Sequence, residues 1–204
     1  PTASTGRIAF ETDTNNIIVY DGTNWRGYQN DGVSGWSGTN AYSMNFDGTD
    51  DRLNVGSPVT TSAQQGTVSA WIKTSSTSNT IVLTQTDVTD TNSNTWLFFS
   101  ILGTGEPRIG WRNGTPLLIK KGSTTVNDGA WHHIAWVSDG STWKIYVDGA
   151  DEGTLTTVSG TASDGNWFGD LPAIDTCRIG CQERNAGTDA FFNGNIDEVA
   201  IWDS

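Results

Sequence analysis

The sequence predicts an all-β domain of many short strands, arranged as a sandwich or a barrel. The chain contains 24 glycines and 10 tryptophans among many Thr, Ser, Asn and Asp residues, a composition that favours strands and turns over helices. Apolar and polar residues alternate in several short runs, which is the period of a strand with one buried face. Asp-Gly pairs separate these runs and supply the positive φ angles of tight hairpin turns. We therefore expect almost no helix.

The chain begins with a small unit of its own. Two apolar runs within residues 1–28, RIAF and IIVY, flank a polar turn, and a Gly-Thr-Asn turn follows, which predicts a hairpin. Residues 29–40 are rich in Gly, Asn and Ser and are predicted to be a linker. Residues 41–204 then form one domain, because a chain of this length cannot hold a second full sandwich. Without an initial Met, we expect the chain to be a piece of a longer protein.

The main domain contains the strongest strand patterns. The segment WHHIAWV is apolar on both faces, as a central strand of a layered structure is. Turn signals separate the strand runs of this domain, among them DGTDD, NDGA, SDGST and VDGAD. Three further runs each place alternate apolar residues on one face: Tyr42, Met44 and Phe46; Val68, Ala70 and Ile72; Trp143, Ile145 and Val147.

Charge and hydropathy limit the partners. The formal net charge is -12 and the pI is near 4.3, which opposes nucleic acid and anionic membranes because binding to phosphates depends on Lys and Arg. The longest strongly apolar run, from Trp96 to Leu102, is far shorter than the ~20 residues of a membrane span. We therefore expect neither nucleic-acid binding nor membrane insertion.

The two cysteines are predicted to be free thiols. In an extended strand, Cys177 and Cys181 would lie about 13 Å apart, whereas a disulfide requires Cα atoms within about 7 Å. They could pair only if a turn falls between them. A zinc site would need further sulfur or imidazole ligands at close spacing, and the sequence offers none beside them.

The residues that could support catalysis are poorly arranged for it. Hydrolysis of a glycosidic bond requires two carboxylates on either side of the bond, but adjacent Asp197 and Glu198 face opposite ways in a strand. His132 and His133 are also adjacent, so one imidazole is expected to pack inside and the other to be partly exposed. We therefore predict that the protein is not an enzyme.

Several motifs in order carry a resemblance to a known family. They are YSMNFDGTDDRLNV, GTVSAWIKT, DGAWHHIAWVSDGSTWKIYVDGADEGT, RIGC and FFNGNIDEVAIWD. Over residues 41–204 the chain resembles the laminin G-like branch of the concanavalin A-like lectin/glucanase superfamily. The resemblance implies a two-sheet antiparallel jelly-roll sandwich, although the Glu-x-Asp-x-Glu strand of the related glucanases has no match. The opening GRIAFETDTNNIIVYDGTNWRGY resembles a short module of bacteriophage tail and other virion proteins.

Tryptophans beside polar loop residues are the candidates for ligand contact. Sugars pack their C–H faces on aromatic rings, and Asn, Asp and backbone groups bind the hydroxyls. Trp167 with Asn166, in SDGNWFGD, and Trp111 with Asn113, in GWRNGT, fall in predicted loops. Their alternative role is a tryptophan lid over the end of the sandwich. The tryptophans within regular strand patterns are predicted to be core: Trp131, Trp136, Trp143 and Trp202.

The resemblance also implies a structural Ca²⁺ ion near the sandwich edge. Asp47, followed by Asp50 and Asp51, matches one acidic position of the family, and Asp197 matches the aspartate of the final strand. If the first and last strands are neighbours, Asp47, Asp51 and Asp197 would converge into an all-oxygen site. The alternative is an ordinary Asp-Gly turn whose side chains cap their own backbone.

These expectations lead to three hypotheses about function. The first is a non-catalytic adhesion module of a phage tail fibre or capsid surface that binds host-surface glycans. The second is a structural virion element, a capsid decoration or fibre-joining domain that binds only other virion proteins. The third is a domain of a secreted bacterial surface adhesin. A virion location would favour a symmetric homo-oligomer.

Overall fold

The computed structural model describes the backbone of residues 8–11, 16–20 and 25–27, and residues 43–203 apart from 57–61, 93, 172 and 186. The chain divides into two compact units, Pro1–Tyr42 and Ser43–Ser204. In the first unit, three antiparallel strands form one sheet: β1 (Ile8–Glu11), β2 (Asn16–Tyr20) and β3 (Trp25–Gly27). The predicted linker, residues 29–40, lies outside the described residues.

The second unit is built of short strands. In chain order they are β4 (Met44–Asp47), β5 (Leu53–Gly56), β6 (Gly66–Lys73), β7 (Thr80–Thr86), β8 (Thr95–Ile101), β9 (Pro107–Asn113), β10 (Leu117–Lys121), β11 (Trp131–Ser138), β12 (Trp143–Val147), β13 (Ala150–Asp151), β14 (Thr156–Gly160), β15 (Thr176–Ile179), β16 (Gln182–Arg184), β17 (Gly187–Asp189) and β18 (Asn193–Asp203). Among the described residues, the only helical element is the 3-10 turn Phe168–Asp170. A search of these residues finds no helix with the length and hydropathy of a membrane span.

Two large antiparallel sheets form the sandwich. One has seven strands in the order β14-β10-β9-β8-β7-β15-β5, and the other has six in the order β13-β12-β11-β6-β18-β4. The last strand, β18, lies between β6 and β4, so the first and last strands of the domain are neighbours. The all-β fold and its two antiparallel sheets are as the sequence predicts.

The core lies between the two sheets. Val68, Ala70 and Ile72 of β6 are fully buried, and Trp143, Ile145 and Val147 of β12 are buried on the same side. Leu97, Phe99 and Ile109 meet them from the seven-stranded sheet and belong to the same apolar cluster. The alternation in β6 and β12 is thus confirmed, because each strand presents every second residue to the core. In β4, Phe46 is buried but Met44, near the sheet edge, is exposed.

The turn between β12 and β13 shows how the Asp-Gly pairs act. Asp148 has a φ of 50° and Gly149 a φ of 83°. Two successive positive φ angles are the conformation of a two-residue hairpin whose twist matches its strands. The motif VDGAD therefore forms the predicted turn.

A second, smaller apolar cluster covers the outer side of the seven-stranded sheet. Ile81, Trp96 and Phe98 are buried there, and Leu117, Ile119 and Ala190 pack against them. The backbone N–H of Ile81 donates to the carbonyl of Ala190, and the Asn185 side chain donates to the carbonyl of Val88. The segment that carries the β16–β17 hairpin thus folds back onto β7.

Both cysteines are free and buried. Cys177 lies on β15, which pairs with β5 on one side and β7 on the other. Burial raises the pKa of Cys177 to about 12 and that of Cys181 to about 11. The prediction of free thiols is confirmed.

Candidate functional site

A cleft of about 660 Å³ opens at one end of the sandwich and contains two of the predicted ligand residues. It is bounded by β9, the turn before β10 and the loop after β14. Its lining consists of one aromatic residue with small apolar, hydroxyl and amide side chains: Trp111, Thr115, Pro116, Leu117, Gly160, Thr161, Ala162, Ser163 and Asn166. The volume lies within the range of small-molecule sites.

Local hydrogen bonds fix the loop that closes this cleft. The N–H of Ala162 donates to the carbonyl of Leu117 at 3.0 Å, and the Asn166 side chain donates to the carbonyl of Ser163 at 2.6 Å. The carbonyl of Asn166 accepts from the indole N–H of Trp143 at 2.7 Å. The cleft is therefore preformed by the backbone.

Trp111 lines this cleft, and Asn113 lies beside it. Trp111 lies on β9 and not in a loop as expected, and it is only 6% exposed, as part of the cleft floor. Its indole nitrogen has no hydrogen-bond partner within the described residues. Asn113 ends β9, and its backbone N–H donates to the carbonyl of Pro116 across the turn. Its side chain is half-buried outside the lining of the cleft.

Trp167 is not available to a surface ligand, which corrects the expectation for this residue. Its side chain is fully buried, with its ring centroid 4.6 Å from that of Trp136 and 4.6 Å from that of Phe168. The carboxylate of Asp170 accepts a hydrogen bond from its backbone N–H at 2.7 Å. Aromatic packing explains the position, because a large ring in a short loop fills the end of the core.

Three exposed tryptophans lie on the outer side of the six-stranded sheet, and we call them the tryptophan face. Trp71 on β6 is 38% exposed, Trp131 on β11 is 39% exposed and Trp202 on β18 is 53% exposed. The prediction that Trp131 and Trp202 are core residues is therefore wrong, whereas Trp136 and Trp143 are buried as expected. Trp131 lies opposite Lys73 and Trp202 opposite Thr67, on either side of Trp71 along β6, so all three rings open to the same side of the sheet.

The strand register places the three rings around small and polar residues. Trp71 lies opposite His133 on one neighbouring strand and Asp197 on the other, and its ring centroid is 5.4 Å from the His133 ring. The next outward row consists of small side chains: Ala135, Ser69 and Ala200. This surface therefore combines open rings with neighbouring hydrogen-bonding groups.

The alternation of β6 and β11 could have revealed two of these residues. Val68, Ala70 and Ile72 point inward, so Trp71 must point outward. In β11, Ile134 and Trp136 point inward, and Trp131 has the opposite parity. The core assignment of Trp131 thus followed from residue type, while the strand period already indicated the outer face.

The acidic turn after β4 brings three carboxylates together. Ligand atoms of Asp47, Asp50 and Asp51 all lie within 4.8 Å of one another. Asp47 Oδ1 accepts from the N–H of Thr49 at 2.7 Å, and Asp51 Oδ2 accepts from the N–H of Asp47 at 2.9 Å. The remaining oxygens offer the hard ligands that Ca²⁺ prefers, so the donor chemistry fits the ion in part. The capping bonds are those of the alternative, an ordinary Asp-Gly turn.

Asp197 lies too far along β18 to complete that site. Asp47 pairs with Asn193, and Asp197 is four residues further along the strand, about 13 Å away. Asp197 lies opposite Trp71, and its carboxylate accepts a hydrogen bond from the N–H of Glu198. The neighbouring strands are present as expected, but their register separates the two aspartates, which corrects the predicted convergence.

The two histidines occupy different surroundings, but neither packs inside the sandwich, which corrects the expectation that one of them would. The ring of His132 lies between two carboxylates, with Nδ1 2.8 Å from Asp148 and Nε2 3.1 Å from Asp128. Burial opposes its protonation, but the hydrogen bonds to both carboxylates outweigh this and raise the pKa of His132. His133 packs on Trp71 instead. Both are half-buried, so neither imidazole is a core residue.

The chemistry of the cleft is that of a binding site. Its lining has hydroxyl, amide, apolar and aromatic side chains, and no acidic or imidazole side chain occurs among its described residues. The nearby Asp164 forms an ion pair with Lys120. The hydroxyl and amide groups of the lining can bind a polar ligand through hydrogen bonds.

Solved structures with the same fold include carbohydrate-binding and laminin domains. A carbohydrate-binding module, the Ruminococcus gnavus IT-sialidase CBM40 bound to alpha2,3 sialyllactose, has a TM-score of 0.63 at 16% identity, over 80% of this chain and 92% of that one. Domains LG4-5 of the mouse laminin alpha1 chain give 0.56 at 17% identity, over 78% of this chain and 41% of that one. The Streptococcus pneumoniae NanB sialidase (K499G) gives 0.63 at 17% identity, over 79% and 25%.

Part of the chain is similar in sequence to a large multidomain protein. Eighty-eight residues are 36% identical to the rat (Rattus norvegicus) sushi, von Willebrand factor type A, EGF and pentraxin domain-containing protein 1, over 39% of this chain and 2% of that protein. The chain thus spans a very small part of that relative. A family model for the concanavalin A-like lectin/glucanases superfamily, of laminin G type, matches residues 47–204. This chain therefore belongs to the concanavalin A-like lectin/glucanase superfamily.

Proposed function

We propose that this protein is a non-catalytic carbohydrate-binding module that holds sugars on the tryptophan face. The observation that carries this proposal is the exposure of Trp71, Trp131 and Trp202, between 38% and 53%, on one side of one sheet. Rings that face water in this way add little to the packing of the domain itself. A partner with flat apolar surface would remove them from water.

The neighbours of these rings suit a sugar. The C–H faces of a pyranose pack on aromatic rings, and its hydroxyls need hydrogen-bonding groups close by. Asp197 and His133 flank Trp71 in the register and supply such groups. The small side chains between the rings leave room for a ligand to approach the sheet.

The fold relatives support this class of ligand. One solved neighbour is a carbohydrate-binding module whose structure contains sialyllactose. At 16% identity this neighbour supports the scaffold and the class of function but identifies no sugar for this chain. The end cleft with Trp111 and Asn166 is the second location that could hold a sugar, and the same experiment separates the two.

The wider setting of the module that we propose is a phage virion, on a tail fibre or capsid surface, with host-surface glycans and other virion proteins as partners. The support is the resemblance of the opening segment, whose three strands form a sheet in the first unit. A surface adhesin of a bacterium would use the same lectin-like chemistry. Genome neighbours that encode capsid or tail proteins would favour the virion.

A structural role in the virion is the second candidate function, and the same exposed rings favour it. An apolar surface on a virion protein can be covered by another viral protein or by a second copy. A specific contact of this kind would bury more than about 1,000 Å² in total. In that case the rings would be inaccessible to a glycan in the particle.

A glycan array with the purified chain tests the proposal. We expect the double variant Trp71→Ala/Trp202→Ala to lose about tenfold or more in affinity, because each ring contact contributes of order 1 kcal/mol. Val158→Ala, an equally exposed apolar residue on the other sheet, is the matched control and should bind as the parent does. Circular dichroism checks that all variants fold.

Two other results would overturn the assignment. Binding that survives the double variant but is lost in Thr161→Trp, which fills the end cleft, would move the site to the cleft. Absence of glycan binding together with self-association in sedimentation would favour the structural role.

A further inference from the structure

The outer side of the seven-stranded sheet presents two arginines around a glycine on β9. Ile109 and Trp111 point into the core, so Arg108, Gly110 and Arg112 point outward. The register gives each of them one outward neighbour on β8 and one on β10. We call this nine-residue surface the arginine face: Arg108 with Ser100 and Lys121, Gly110 with Phe98 and Ile119, and Arg112 with Trp96 and Leu117.

Glycine at the centre lets an aromatic ring lie flat on the sheet. A Cβ at position 110 would come within 2.3 Å of the Phe98 ring. Phe98 in turn stacks on Trp96, with ring centroids 5.0 Å apart and an interplanar angle of 16°. The floor between the two arginines is therefore apolar and closely packed.

Neither arginine forms an ion pair with a carboxylate within the described residues, but Asp90 lies near Arg112: backbone hydrogen bonds from Asn92 and Asn94, and then the charge of Arg112, lower the pKa of Asp90. Arg108 Nε donates to Ser100 Oγ at 3.0 Å, and its guanidinium lies 4.8 Å from the centre of the Phe98 ring. Arg112 Nε donates to the carbonyl of Gly114 at 2.9 Å. The ion pairs found in the described part of the chain involve neither of them. In a chain with a net charge of -12, two such cations on one strand are a local excess of positive charge.

Lys121, the third cation on this surface, differs from the two arginines because it has a carboxylate partner. Lys121 pairs with Glu106 at 2.6 Å, and its hydrogen bond lowers the pKa of Glu106 to about 2. Arg108 has no such partner, and partial burial lowers its own pKa. A partly desolvated cation without a counter-charge is costly, so an anion that pairs with it gains more than it would at a fully hydrated site.

Polar atoms without partners form a row beside Arg112. Trp96 Nε1, Thr86 Oγ1 and Thr176 Oγ1 are buried, and each lacks a hydrogen bond within the described residues. Their residues are cross-strand neighbours on adjacent strands β8, β7 and β15, all on the outer side. Buried polar groups normally have a partner, so ordered water is expected to supply one to this row.

From these contacts we infer that the arginine face binds a sugar unit that carries a carboxylate, with the carboxylate on Arg108 or Arg112. A guanidinium matches a carboxylate through two parallel hydrogen bonds. Trp96, which lies directly opposite Arg112 on β8, is the aromatic neighbour closest to this site in the strand register. This inference rests on the proposed carbohydrate-binding function and adds an acidic ligand class on the opposite sheet from the tryptophan face.

Titration with sodium glucuronate, followed by NMR, tests this site in the whole chain. The indole N–H signal of Trp96 is expected to shift with glucuronate and to stay unchanged with glucose. Arg108→Gln or Arg112→Gln, whichever removes the guanidinium that holds the carboxylate, should weaken glucuronate binding by about tenfold or more, as expected for a charge-assisted pair. Lys144→Gln, an exposed cation on the outer side of the other sheet, is the matched control and should have no effect. Added salt should weaken the binding.

The outcomes separate this inference from the proposed function. Glucuronate that fails to shift the Trp96 signal, or that binds both arginine variants as tightly as the parent, would overturn the arginine face while leaving neutral glycan binding on the tryptophan face intact. An equal response to inorganic sulfate would overturn the saccharide assignment, because any anion would then suffice. Loss of array binding in the tryptophan variants with unchanged glucuronate binding would support two separate sites.

Discussion

Outward-facing aromatic residues are exposed to solvent on one sheet of the sandwich and buried on the other. On the six-stranded sheet, Trp71 and Trp202 face water, with small residues between them. On the seven-stranded sheet, Trp96 and Phe98 occupy equivalent outward positions but are buried. Both sides use the same alternation of side chains along each strand. An outward aromatic residue therefore becomes either a contact surface or part of a second core.

The covering segment makes the difference. The chain between β15 and β18 folds back over β7, and Ala190 joins the cluster of Trp96 and Phe98. Arg178 forms an ion pair with Glu183 of that segment at 2.5 Å. No corresponding segment of the described chain covers Trp71, which stays 38% exposed. Exposure is thus decided by loop placement, which a strand pattern does not contain.

The largest expected effect is a difference in stability between the two sides. Phe98→Ala removes a ring that packs on Trp96 and Gly110 and should lower the free energy of unfolding by about 3–5 kcal/mol. Trp202→Ala, at 53% exposure, should change it by less than about 1 kcal/mol. Urea unfolding measures the free-energy change of each variant, provided that the variants and the parent chain have the same m-value. Equal losses in the two variants would contradict the comparison.

A smaller effect is expected at the turn that joins the sheets between β4 and β5. We predict that Ca²⁺ binds there through Asp47, Asp50 and Asp51 and that a hundredfold excess over Kd stabilises the fold by about 2.7 kcal/mol. A chelator should then lower Tm by about 5–10 °C, and Asp51→Asn should abolish this response.

Two matched variants sharpen the calcium test. Asp139→Asn alters an exposed aspartate that caps another turn and should leave the response to chelator unchanged. Asp197→Ala should also leave it unchanged, because the register keeps that carboxylate away from the turn. A Tm that is insensitive to chelator in the parent chain would leave the three aspartates as an ordinary capped turn.

The smallest expected effect is a pH dependence of stability that arises from His132, near the start of β11. The pKa of His132 is raised in the fold by Asp148 and Asp128 against the effect of burial, so protonation stabilises the protein below the unfolded pKa of about 6.5. This contribution is lost as pH rises through the folded pKa. His132→Gln should lower Tm by less than about 3 °C near pH 5.5 and by less near pH 8.5. A larger difference at the higher pH would contradict the sign.

The regular part of the fold was accessible from the sequence. Alternation in β6 and β12 predicted their core faces, and Asp148-Gly149 predicted a hairpin turn that its positive φ angles confirm. Such features depend on residues close together in the chain. Trp111 and Asn166 were each expected to contact a ligand, as members of two separate loops, and the structure places both in the lining of one cleft.

The error at Trp202 arose because one extra residue shifts the register of β18. In β18 the register shifts between Asp197 and Ala200, and Glu198 has a φ of 47°. A bulge of this kind moves all later side chains to the other face. Ile201 consequently packs toward the core and Trp202 faces outward. The letters NIDEVAIW carry no unambiguous bulge signal, so the core assignment of Trp202 failed.

Because Cys177 and Cys181 are buried, the rate at which a reagent modifies their thiols reports on opening of the sheet. With pKa values of about 12 and 11, only about one thiol in ten thousand and one in a thousand would be reactive thiolate at pH 8 even with free access. A thiol-modifying reagent therefore acts mainly on molecules in which the local structure has opened. Because β15 is separated from the sheet edge only by β5, the rate of Cys177 alkylation follows detachment of that edge strand, without isotopes and without an engineered label.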